Sequence, residues 1–206
     1  YEALWAIDQL LQTVDGAATE LLLEPLHPDD SRGIEFRVSN TDRTVEYWSV
    51  NRQTTTAAGW TLAVLAAKDD RGRSILSDLF RHIQRDTAHR GVFASTLGAP
   101  DFDELRHYAA DQKMLDERLN RSQDLTAGYR THLLPLCEGD PDKVRAFLLG
   151  TRTHAIDEAQ LQDRIEFALR KLFYNLDGDP LDPAAVRGYL CDLLLDNIHR
   201  PIRRET

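Results

Sequence analysis

Cysteine is scarce in this chain, with Cys137 and Cys191 the only two in 206 residues. They lie far apart and without metal-ligand spacing, which excludes a disulfide framework and a zinc finger and predicts a reduced, cytoplasmic setting. Long apolar runs are missing too. None approaches the roughly 20 residues of a membrane span, so no membrane partner is expected. The N-terminus has no basic segment leading into an apolar one, so no secretory signal is predicted. There is no Gly-x-x-x-x-Gly-Lys-Ser/Thr loop and no Gly-x-Ser-x-Gly elbow, which argues against a P-loop NTPase or an α/β-hydrolase within this stretch.

Positive charge is also in short supply: 25 Lys and Arg against 34 Asp and Glu leave a net charge of −9. That balance disfavours nucleic-acid binding by the chain as a whole, but a phosphate-binding face needs only local charge. Residues 1–30 carry seven acids and no Lys or Arg, whereas residues 31–90 carry ten Lys and Arg against seven acids. The middle segment is where such a face would lie. With 42% hydrophobic and 29% charged residues, the composition is that of a folded globular domain.

Hydrophobic spacing sets the expected elements. Leu4, Trp5, Ile7, Leu11 and Val14 recur as on a helix that Gly16 ends. Thr19-Glu-Leu-Leu-Leu-Glu-Pro25 reads as a buried strand, and His27-Pro-Asp-Asp-Ser-Arg-Gly33 as a turn. Gly33-Ile-Glu-Phe-Arg-Val-Ser39 and Thr44-Val-Glu-Tyr-Trp-Ser-Val-Asn51 alternate apolar and polar residues around Asn40-Thr-Asp-Arg43, which predicts a β-hairpin. Trp60–Ala66 and Ser74–Ile83 read as helices and Gly91–Thr96 as a strand. Beyond Asp101 the pattern turns helical, roughly over 102–120, 122–134, 141–149, 157–174 and 183–198. The order predicts an α/β fold with a mixed central sheet flanked by helices: a core over 1–100 and a mainly helical extension over 101–206. The chain stops at Arg203-Arg-Glu-Thr206 directly after a predicted helix, as a piece leading into a further domain would.

Metal-assisted phosphodiester hydrolysis needs carboxylates for Mg²⁺ and a cation near the attacking water. A hairpin can present both, because side chains alternate with period two. The available groups are Glu24 at the end of the first strand, Asp29 and Asp30 in the turn, Glu35 on the second strand, and Ser49-Val-Asn51 on the third. Ser49 and Asn51 share a face with Val45 and Tyr47, while Glu46, Trp48 and Val50 share the other.

Taken together, Tyr1–Leu11, Leu23-Glu-Pro25, Gly33-Ile-Glu-Phe36, Glu46-Tyr-Trp-Ser-Val-Asn-Arg-Gln53, Trp60, Ile75-Leu-Ser-Asp78 and Phe93-Ala-Ser-Thr96 carry a resemblance. The run resembles the N-terminal double-stranded-DNA nuclease domains that bacterial antiphage proteins fuse to sensor or NTPase modules. These belong to the PD-(D/E)xK superfamily. The resemblance implies a restriction-endonuclease-like fold, Mg²⁺ held by Glu24 and Glu35, and catalytic positions at Glu35, Ser49 and Asn51. It also implies duplex DNA as substrate, a fused or associated NTPase or sensor module, and homo-oligomerisation on activation. One departure is plain. Family members place Gln-x-Lys or Glu-x-Lys where this chain has Ser49-Val-Asn51, so it is expected to be inactive as an endonuclease. Losing one preorganised electrostatic group costs about 10²–10³ in rate. An engineered inactivation, a natural pseudo-nuclease serving as an assembly or DNA-binding domain, and a basic group displaced to Arg52 all fit that departure. Arg52 falls on the opposite face of a regular strand. Asp177-Gly-Asp179 is read as a helix-joining turn, His82 and His89 as one helical face without partner ligands, and Trp5, Trp48 and Trp60 as core anchors.

Overall fold

In a computed structural model, described over residues 1–24, 33–52, 59–174 and 182–203, the first helix is α1 (Glu2–Asp15). Gly16 ends it in the left-handed conformation at φ 86°, where a residue with a Cβ would be strained. Next come β1 (Ala18–Leu23), β2 (Phe36–Asn40), β3 (Val45–Asn51), α2 (Leu62–Ala66), α3 (Ile75–Ile83) and β4 (His89–Ser95). The second half holds α4 (Pro100–Tyr108), α5 (Gln112–Arg121), α6 (Gln123–Gly128), a π-helical turn at Tyr129–Leu133, and α7 (Leu134–Leu136). It continues with α8 (Pro141–Gly150), β5 (Thr151–Ala155), α9 (Glu158–Tyr174), α10 (Pro183–Asp196) and β6 (Pro201–Arg203).

Six strands form one mixed sheet in the order β5-β4-β3-β2-β1-β6. The pairs β1–β2, β2–β3 and β1–β6 are antiparallel, whereas β3–β4 and β4–β5 are parallel. The expected α/β class and mixed, helix-flanked sheet are therefore present, and the hairpin pairs Phe36 with Trp48 and Val38 with Glu46. Its phase is also as expected. Trp48 and Val50 pack under α1, α9 and α10 with Trp5, Leu21, Phe36 and Val92, while Tyr47 and Phe93 face the opposite core with Leu65, Leu79 and Phe147.

Four expectations about elements need correction. The continuous helix over 102–120 is broken at 109–111, because Asp111 accepts from Lys113 and Met114 N–H and starts a new helix. The helix over 122–134 contains the π-helical turn. His82 and His89 do not share a helical face, since His89 opens β4; its ring nevertheless reaches the His82 carbonyl, with Nδ1 3.0 Å away. Strands β5 and β6 were not expected, since 151–155 and 201–203 fall outside the predicted elements, yet they form the two sheet edges. Trp5 and Trp48 are core residues, whereas Trp60 is half-buried and donates its Nε1–H to Ser95 Oγ at 2.6 Å. Cys137 and Cys191 are free thiols. The turn over 27–33 (with Asp29 and Asp30) and Asp177-Gly-Asp179 fall mainly or wholly outside the described residues. Among the described residues no helix is long and apolar enough to cross a membrane.

Trp48 touches Phe36, Trp5 and His154 at ring-centroid distances of 5.3–5.4 Å. Replacing it with alanine is expected to cost about 3–5 kcal/mol in urea denaturation, the usual range for emptying an aromatic core site. A loss below about 1 kcal/mol would mean that this face of the sheet is not the core.

Candidate functional site

The site lies where β2 begins. Glu35 donates its backbone N–H to the Trp48 carbonyl at 2.9 Å, one residue before β2 begins. β3 continues past that point, so the Val50 N–H has no β2 backbone carbonyl to meet. The Glu35 carboxylate takes that role, with Oε2 accepting from Val50 N–H at 2.6 Å. A side chain thus completes the ladder at the end of the hairpin, because a buried N–H left without an acceptor would be costly.

Glu24 lies beside it across β1. Its N–H donates to the Glu35 carbonyl at 2.9 Å, and its φ of 40° lies in the left-handed region, rare for a side chain of this type. Its own carbonyl faces the Nδ1 of His199 at 2.5 Å. A carbonyl can only accept, so Nδ1 carries a proton. The His199 N–H donates to the Leu23 carbonyl at 3.2 Å, again with a positive φ of 67°. Two non-glycine residues in this conformation on one cleft wall mark strain held in place by the surrounding fold.

The cleft between these groups has a volume of about 670 Å³. Glu2, Ala3 and Ala6 of α1 form one side, Glu24 and Glu35 the floor, and Cys191, Leu194 and Ile198 of the α10 region the other side. Burial pushes the Glu35 carboxyl up to about 8; the Val50 N–H opposes this and the nearby Glu2 charge adds to it. Among the described residues no group of three or more His, Cys, Asp or Glu is arranged to hold a metal ion.

The sequence-derived candidates therefore fall in two places. Glu24 and Glu35 share the cleft. Ser49 and Asn51 do not line it: Ser49 is buried, and Asn51 Nδ2 donates to Ser49 Oγ at 3.1 Å. Asn51 pairs with Ser95 of β4. Arg52 turns away to Glu158 at 3.0 Å, so it brings no cation to the carboxylates. Sequence reasoning missed Glu2, and set aside Cys191 with His199 because they lack zinc-ligand spacing. Glu2 could have been suspected as an acid in the first turn of the first helix, whereas nothing in the sequence ties positions 191 and 199 to position 24.

The sequence matches no family model and no curated protein. Solved structures are similar in fold. They include two structures of the Acinetobacter baumannii Cap4 SAVED/CARF-domain containing receptor, one of them with the cyclic trinucleotide 3'3'3'-cAAA (TM-score 0.53, 12% identity), and the Moraxella osloensis Cap4 receptor (TM-score 0.52, 12% identity). The matches cover all of this chain and 44% of each receptor chain. At that identity the likeness is one of fold, and the chain spans less than half the length of the receptors it matches.

Glu35 gives a signed pH prediction for the metal-free protein. Its folded pKa lies above the unfolded value, so the native state holds the extra proton between about 4.5 and 8. Its contribution to stability is full below the lower value, falls as pH rises and levels off above the upper one. Glu35→Gln keeps an acceptor for Val50 and removes the titration. In EDTA its melting temperature at pH 8 should exceed that of the parent by several degrees, with the gap closing towards pH 4.5. Equal pH profiles for the two proteins would show that Glu35 titrates normally.

Proposed function

We propose that this chain is a nuclease-type effector domain of a bacterial antiphage defence protein, acting in the cytoplasm and disabled for DNA cleavage by Asn51. The observation behind this is the pairing of Glu24 and Glu35 at the β1–β2 edge of a cleft, with the third strand of the same hairpin carrying Ser49-Val-Asn51. The fold likeness to Cap4 receptors supports the defence setting.

Mg²⁺ fits the donors in chemical type, since this ion is commonly held by one or two carboxylates plus water. Glu24 and Glu35 would hold it. A bound Mg²⁺ supplies polarisation of a phosphate oxygen and a more acidic water. The residues around it do the rest. The Val50 N–H fixes one oxygen of Glu35 and leaves the other for the cleft. Asn51 supplies no charge, and its amide is engaged with Ser49, so the cation that would stabilise the developing negative charge is missing. Duplex DNA is the substrate class for the intact site. A linked sensor or NTPase module and self-assembly supply the trigger.

A second reading follows from the same substitution. With Ser49 and Asn51 satisfied by each other, the domain keeps its fold without the chemistry and serves as an assembly or DNA-docking surface. A sensor-type role has its own support, because one of the similar receptors holds a cyclic trinucleotide.

The test compares the chain with its Asn51→Lys form on plasmid and linear duplex DNA, in the full-length assembled protein. The chain as it stands should not cut. Asn51→Lys should cut with Mg²⁺, by about 10²-fold or more over the parent, and lose activity in EDTA or with Glu35→Ala added. Absence of cutting by the assembled lysine form would favour the docking domain. Cutting that starts only when a cyclic trinucleotide is added would assign the sensing step as well.

A further inference from the structure

A second cavity, of about 330 Å³, lies between α1, the hairpin turn, β3, β5 and α9. Two carboxylates are buried behind it. Glu46 accepts from Trp48 Nε1 at 3.1 Å and from Arg152 Nη1 at 3.0 Å. Asp8 accepts from Gln9 and Gln12 side-chain amides at 3.0 and 3.3 Å, and pairs with Arg164 Nε at 2.9 Å. The acids are 9% and 4% exposed, but their arginines are 59% and 43% exposed. Here the buried acid orients a guanidinium whose remaining donors stay open.

A guanidinium has five N–H donors, and each of these arginines gives one to its carboxylate. The two forks come from different elements, β5 and α9, and both line the same space. His154 lies between them, stacked on Trp48 at an interplanar angle of 2°, with no hydrogen bond to any described residue. Burial first, then the charges of Arg164, Arg152 and Arg106, hold its pKa below the ordinary value, against Asp103. Asp42 also lines the cavity, but its Oδ1 accepts from both the N–H and the hydroxyl of Thr44, at 2.9 and 2.6 Å.

We infer that this cavity is a binding site for a phosphate group, with Arg152 and Arg164 as its two forks and the His154 ring as a neutral third donor. A carboxylate is filled by one fork, whereas a phosphate has oxygens for both. Buried acids that lock the arginines reduce the entropy cost of binding. The cavity is larger than inorganic phosphate needs, so the phosphate arrives attached to a polar body: a free phosphate ester or a nucleic-acid backbone. The site is separate from the Glu24–Glu35 cleft and does not depend on the nuclease proposal.

Calorimetry on the full chain with AMP, adenosine and a short DNA duplex tests this. AMP should bind, and adenosine should bind at least about tenfold more weakly. Arg152→Lys with Arg164→Lys keeps both ion pairs but loses the forks, so it should weaken AMP binding by about tenfold or more while leaving the melting temperature near that of the parent. Thr41→Asp, on the exposed rim, should also weaken binding without touching either pair. Duplex tighter than AMP with the same arginine dependence assigns the phosphate to nucleic acid; AMP tighter assigns it to a free ester. Equal binding of AMP and adenosine, no binding of any probe, or binding that survives both sets of substitutions overturns the proposal.

Discussion

β2 begins too late to pair with the last residues of β3, and a carboxylate fills the gap. Much of the candidate site follows from that constraint. Because Glu35 must satisfy the Val50 N–H, its side chain is drawn into the sheet edge and partly out of water. Burial then raises its pKa, and the same position places it beside Glu24 at the floor of the cleft. One hydrogen bond thus links sheet register, electrostatics and the shape of the site. Ser49 and Asn51 project from the same strand as Val50 and engage each other.

The sheet spends its acids in two ways. On the cleft side, Glu24 and Glu35 have no cation paired with them among the described residues, and burial raises the pKa of Glu35. On the other side of α1, Glu46 and Asp8 are each matched by an arginine and by neutral donors. Pairing a buried acid with a half-exposed arginine recovers part of the desolvation cost and leaves an oriented cation at the surface. An unpaired acidic floor suits a cation, and oriented guanidiniums suit an anion, so the two cavities differ in the ligand charge they favour.

Much of this was legible in the sequence, because alternation is a strong signal when one face is buried. Val45, Tyr47, Ser49 and Asn51 were placed correctly against Glu46, Trp48 and Val50, whereas Glu35, expected on the second strand, lies one residue before it. The edge strands were not legible. Thr151-Arg-Thr-His-Ala155 buries only Thr151, and Pro201-Ile-Arg203 is three residues long, so neither carries a period. The helix break at 109–111 was readable from Asp111 as a cap, but the apolar spacing ran through it. The acceptor role of the Glu35 carboxylate was hidden, since it depends on where β2 begins, and His199 reaches Glu24 only through the tertiary fold.

Glu35 is a buried acid tied to Val50 in the cleft that it shares with Glu24. The amide shift of Val50, followed by NMR from pH 4 to 10 with EDTA and then with Mg²⁺, tests it most directly. The account predicts a single titration with its midpoint near 8 in EDTA, moving to lower pH when Mg²⁺ is present. A midpoint in the ordinary carboxylate range, or one that Mg²⁺ does not move, would contradict it.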